Sequence, residues 1–86
     1  MSDIRETLAQ VDEDLLFADG YDDCVLGVSY DFGRPPRVAY DREKIIDKLM
    51  EHMSWEEAEE FFQFNIAGAY VGDRTPSYVE RYGEST

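Results

Sequence analysis

One cysteine and one histidine are present, so the chain is poor in metal ligands and neutral-pH bases. Cys24 alone can form no intrachain disulfide. Cys24 and His52 together fall short of the four ligands of a structural zinc site. No apolar run approaches 18 residues, which argues against a membrane-spanning helix. The opening residues, Met1-Ser2-Asp3-Ile4-Arg5-Glu6, carry charge where a secretory signal needs an apolar stretch. A cytoplasmic location is therefore expected. A Ser/His/Asp set, a phosphate loop and a dinucleotide fingerprint are also missing. No catalytic residue, metal or cofactor is expected, although two distant carboxylates acting as an acid/base pair stay open.

Basic residues are scarce as well: 8 Lys and Arg stand against 20 Asp and Glu, for a net charge of -12. Such a chain repels DNA, RNA and anionic lipid and is drawn to basic protein surfaces. Plain solubility is the competing explanation. What the chain has in quantity is apolar material, 43% with 14% aromatic. Over 86 residues that suffices for one core and one domain, residues 1–86.

The apolar spacing of Ile4, Leu8, Val11, Leu15 and Leu16 predicts a short N-terminal helix, with a partly ordered arm over residues 1–20 as the alternative. Cys24 to Tyr30 alternates as a strand does, and Gly27 within it marks a bulge or a close backbone approach. Phe32-Gly33-Arg34-Pro35-Pro36 breaks regular structure. Arg37 to Tyr40 is a second strand, so the two form a hairpin. Asp41 is a fitting N-cap for a helix that buries Ile45, Ile46, Leu49, Met50 and Met53 and ends near His52 or Met53. Ser54-Trp55-Glu56-Glu57 has the form of a capping box. The helix it starts is expected to bury Ala58, Phe61, Phe62, Asn65, Ile66 and Ala69. Ser77-Tyr78-Val79 supplies a short edge strand, and residues 82–86 a frayed tail. The fold class is α+β: a small antiparallel sheet, made of a β-hairpin plus a short edge strand, packed by two or three helices.

Several patterns resemble sites. Asp12, Glu13, Asp14, Asp19, Asp22 and Asp23 suggest calcium, but counted from Asp12 there is no glycine at the sixth position and no glutamate at the twelfth. Glu56, Glu57, Glu59 and Glu60 offer carboxylates at helical spacing without the histidine that di-iron bundles add. A solvated helix face accounts for them. Cys24 stands beside Asp22 and Asp23, which raise a thiol's pKa, so a buried structural thiol is favoured over a nucleophile. His52 at a helix end is explained by the helix dipole. Aromatics at Trp55, Phe61, Phe62, Phe64, Tyr70 and Tyr78 lie among glutamates, not in the basic groove that base stacking uses. Phe64 is the one expected at the surface, where with Trp55 it would make a protein-binding patch. Asn65 is expected to bond the backbone near Tyr70 or Thr75 and tie helix to turn.

Residues 22–79 resemble a family of short uncharacterised proteins of bacteriophages and bacterial genomes. The resemblance rests on Asp22-Asp23 with Val25-x-Gly27-Val28, on Pro36-x-Val38-x-Tyr40-Asp41, and on Ile46-x-x-Leu49-Met50. It continues through Met53-Ser54-x-Glu56-Glu57-Ala58-x-Glu60-x-Phe62 and is most specific at Phe64-Asn65-Ile66-x-Gly68-Ala69-Tyr70-Val71-Gly72, closing on Thr75-Pro76. It implies a phage or prophage origin, hence a bacterial host cell, and brings no activity or site residues with it.

Charge and resemblance together lead to an acidic inhibitor of a host nucleic-acid-handling or defence protein, such as a nuclease or a CRISPR complex, acting by nucleic-acid mimicry. A domain of this length is roughly 30 Å across. Duplex DNA of that length carries about 18 phosphates, of which half face a partner. The expected partner is a host or phage protein with a basic surface, with no direct nucleic-acid or membrane contact. The candidate contact residues are Asp12, Glu13, Asp14, Asp19, Asp22, Asp23, Glu56, Glu57, Glu59, Glu60 and Phe64. The alternative is a homo-oligomer, in the simplest case a homodimer, or an adaptor. It would use an apolar aromatic surface around Phe64 and Tyr70, without mimicry.

Overall fold

Three caps set the helix starts in the computed structural model, which describes residues 3–82. Asp3 accepts from the Arg5 amide and opens α1 (Ile4–Ala9). Asp41 accepts from the Lys44 amide and opens α2 (Arg42–Leu49). Ser54 and Glu57 form the reciprocal capping box that opens α3 (Trp55–Phe61). A 3-10 turn over Asp22–Cys24 leads into β1 (Val25–Ser29). The hairpin partner is β2 (Arg37–Asp41), and β3 (Ser77–Val79) closes the chain's regular structure.

The α+β class is as expected: helices cover a three-stranded sheet of order β1-β2-β3. β1 and β2 are antiparallel, with the register shifted between Val25 and Gly27. The bulge anticipated at Gly27 therefore exists, and it leaves Leu26 exposed. The sheet is mixed, not wholly antiparallel, because β3 runs parallel to β2. Parallel neighbours need a long crossover. Residues 42–76 provide one, returning the chain through helix to the end of the sheet where β2 began.

Strand alternation sends Val38 and Tyr40 into the core. There they join Ile45, Ile46 and Leu49 of α2, Ala58 of α3, and Phe62 and Ile66 beyond it. Both long helices thus cover one face. Tyr40 and Tyr78 are register partners with rings stacked at 5.7 Å, and Phe62 meets Tyr78 edge-on at 5.2 Å. This aromatic trio ties β2, β3 and the third helix together.

The N-terminal segment departs from its predicted helix. α1 stops at Ala9, and Val11 and Leu16 are exposed while Leu8 and Leu15 are buried. The Asp12 carboxylate accepts from the Asp14 amide at 2.9 Å. That local bond offers the backbone an alternative to continuing the helix. The segment is nonetheless no loose arm. The Ala18 amide donates to Tyr40 Oη at 2.7 Å, and Arg5 clasps Asp19 and Asp22.

α2 is shorter than predicted. Its end tightens through bonds from the Glu51 amide to Lys48 O and from the His52 amide to Leu49 O, a common way for a last turn to close. Met50 is left exposed. After α3 the chain does not stay α-helical. Residues Phe62–Ala67 form a π-helix. Ala58, Phe62 and Ile66 stay buried in line, while Phe61, Asn65 and Ala69 are exposed, against expectation. Among the described residues Asn65 makes no side-chain bond to the following turn. Thr75 instead closes the loop on itself, its Oγ1 accepting from the Val71 amide at 2.8 Å and donating to Gly72 O at 2.6 Å. Of the expected frayed tail, Tyr82 is exposed and 83–86 lie outside the described residues.

Candidate partner-binding surface

The candidate acids divide into those consumed within the chain and those left facing outward. Asp12 pairs with Arg74 at 3.0 Å, joining the N-terminal segment to the loop before β3. Asp19 and Asp22 share Arg5 at 3.1 and 2.9 Å. Asp23 takes Lys48 at 2.9 Å. Glu59 pairs with Arg42, whose guanidinium also lies over the Phe62 ring. Glu57 caps its own helix, accepting from the Ser54 amide at 3.0 Å. Glu13, Asp14, Glu56 and Glu60 are exposed and make no ion pair among the described residues.

The bases tell the same story. Arg5, Arg37, Arg42, Lys48, Arg74 and Arg81 are each held by a carboxylate, Arg81 by the buried Asp41. Among the described residues only Arg34 and Lys44 enter no ion pair. Most of the positive charge is therefore committed internally.

The clasps alter proton affinities. The Asp14 amide and then Arg74 hold the Asp12 carboxyl below its usual range, and Lys48 does the same for Asp23. Carboxyls lowered on folding bind protons more weakly in the folded chain than in the unfolded one. Their stabilisation is complete above the unfolded value of about 4 and is lost as pH falls through the folded values. Asp12→Asn is accordingly expected to lower the urea midpoint at pH 6, with the gap to the wild type closing as pH is taken below about 4. A gap that stays constant over that range would assign the effect to packing and not to charge.

Burial, followed by the negative charge of Asp23, pushes the Cys24 thiol up to about 11. At neutral pH it is a protonated thiol buried in the core, as its acidic neighbours led one to expect. Among the described residues no cluster of His, Cys, Asp and Glu is arranged to hold a metal ion, and no helix is long and apolar enough to cross a membrane.

Phe64 is 78% exposed, as anticipated. With His52, Met53, Glu57, Glu60 and Phe61 it lines a groove of about 400 Å³ along the third helix. Its aromatic walls are Phe61, the last residue of α3, and Phe64 of the π-helix, both exposed. Trp55 is also exposed but lines a different cleft, with Arg42 and Glu59. Tyr70, expected to join Phe64 in one surface, lines a third cleft with Arg34 and Arg37. Phe64 thus shares a groove with neither of its anticipated companions. Exposed Tyr30 and Phe32 in the hairpin loop were not anticipated. The signal was present: a phenylalanine followed by Gly-Arg-Pro-Pro falls where the chain turns and a side chain has no core to enter.

No protein-family model matches the chain, nor does any curated protein or solved structure.

Proposed function

We propose that the chain is a binding protein and not an enzyme, and that its acidic surface engages the basic surface of a nucleic-acid-handling protein. In the phage setting that the sequence resemblance implies, such a partner would be a host nuclease or CRISPR complex, held off its nucleic acid by mimicry.

One observation carries this: the commitment of six of the eight basic side chains to internal ion pairs. Exposed pairs add little stability, with a median near 0–1 kcal/mol. Their larger consequence is on the field. Neutralised acids sit in the pairs, while Glu13, Asp14, Glu56 and Glu60 are exposed and enter no ion pair among the described residues. The molecule measures 36 × 29 × 27 Å, close to the length of duplex that carries about 18 phosphates. The groove along the third helix adds apolar surface from Phe61 and Phe64 beside Glu60. Aromatic side chains of this kind anchor interfaces, while the acids steer the approach.

The test is capture of host proteins on the immobilised chain at low and high salt, repeated with Glu56→Lys plus Glu60→Lys. These two are chosen because Glu57 caps the helix and Glu59 holds Arg42, so changing either would disturb the fold. The wild type is expected to retain a basic nucleic-acid-binding protein at low salt and release it at high salt. The double variant is expected to lose at least 90% of that retention with unchanged thermal unfolding. Equal retention by the variant, or a partner that survives high salt, would sink the proposal.

A further inference from the structure

Two loops meet at one end of the sheet. Loop 30–36 precedes β2 and loop 70–76 precedes β3, and the parallel pairing of those strands brings both loops to the same side. They line a cleft of about 450 Å³ whose walls include Gly33, Arg34, Tyr70 and Asp73. At the hairpin tip Phe32 is fully exposed, and Tyr30, Tyr70 and Val71 are largely so. Aromatic residues and arginine are enriched at interfaces relative to the rest of a protein surface.

The charges at this end differ from those elsewhere. Arg34 and Asp73 both line the cleft, and among the described residues neither enters an ion pair. Arg37 is matched by Asp31. Acids and bases balance here, on a chain whose net charge is -12. Another copy approaching this face meets little net charge. At physiological salt the Debye length is about 8 Å, which screens the acids at the far end of a 36 Å molecule.

We propose that two copies of this chain associate through this end about a twofold axis. Phe32 of each copy enters the cleft of the other, and Arg34 of each faces Asp73 of the other. A twofold interface requires that if one residue meets a second, the second also meets the first. One exposed ring beside one cleft, and one arginine beside one aspartate, meet that condition with no further component. This surface is distinct from the groove along the third helix, so the proposal stands apart from the one concerning a basic partner.

Sedimentation velocity on the full chain, across a concentration series at physiological salt, tests it. The mass is expected to rise from the monomer's towards twice that value. Phe32→Ser is expected to raise the dissociation constant roughly a hundredfold. Because Phe32 buries nothing within its own chain, the variant should keep the wild-type melting curve. Arg34→Asp should weaken association at least tenfold, and adding Asp73→Arg should restore most of the loss. A monomer at every concentration overturns the proposal and leaves the Phe32 face to a different protein. A dimer indifferent to Phe32→Ser and to the charge exchange overturns it too, by placing the interface elsewhere.

Discussion

Replacing Phe62 by alanine is expected to destabilise the domain by about 3–5 kcal/mol, the cost of deleting a buried aromatic. Phe62 is 3% exposed. Its ring meets Tyr78 of β3 edge-on and lies beneath the Arg42 guanidinium of α2. Alanine there opens a cavity bordered by three elements at once, with little freedom to collapse because the π-helix and the sheet are both fixed. A domain of this size has roughly 4–13 kcal/mol of stability in total, so the variant should lose a large share of it and unfold at a clearly lower urea concentration than the wild type. Phe64→Ala is the control. Two residues along and 78% exposed, it should change stability by less than about 0.5 kcal/mol. Urea unfolding of the pair measures both. Similar losses for the two variants would mean that the π-helix does not divide these phenylalanines as described.

Gly68→Ala is expected to destabilise as well, by about 1–3 kcal/mol, although alanine usually helps. Gly68 has φ -80°, a conformation open to any residue. Restricting the unfolded chain would then gain about 0.4–1 kcal/mol. Contact decides the sign. A Cβ built at Gly68 falls 2.8 Å from the carbonyl oxygen of Gln63 and 3.4 Å from that of Phe64. Both are backbone atoms of the π-helix and cannot swing aside as a side chain would. The end of that helix must shift or unwind, which disturbs Ile66 in the core and Phe64 at the groove. Urea midpoints give the answer directly. A stabilised Gly68→Ala variant would show that the wide turn relaxes to α geometry at little cost.

Much of the architecture follows from local chemistry that is legible along the chain. Asp41 and Ser54 have side chains that satisfy free amides at helix starts, and both do so where anticipated. Glu57 three residues after Ser54 closes the capping box by spacing alone. Gly27 breaks the alternation of β1, and the register shifts there. Cys24 is buried between an acidic turn and an apolar strand, as its neighbours indicated. The misreadings have a common origin. Periodicity assumes one helical geometry throughout, so it placed Phe61, Asn65 and Ala69 in the core, and it carried the first helix past Asp12. Neither the π-helix after Phe61 nor the bond from the Asp14 amide to Asp12 changes the spacing of apolar residues.

The sequence by itself determined the class of fold, the starts of α2 and α3, the hairpin with its bulge, the net charge and the presence of Phe64 at the surface. Each depends on residues within a few positions of one another, or on composition alone. Tertiary structure alone decided which acids remain unpaired. Arg74 reaches Asp12, Lys48 reaches Asp23 and Arg42 reaches Glu59 across gaps in the chain that no local pattern encodes. It also decided that β3 lies parallel to β2, which brings Tyr70 to the hairpin loop and away from Phe64. Strand direction depends on the path of the whole crossover, and ion pairing on which side chains that path brings within reach.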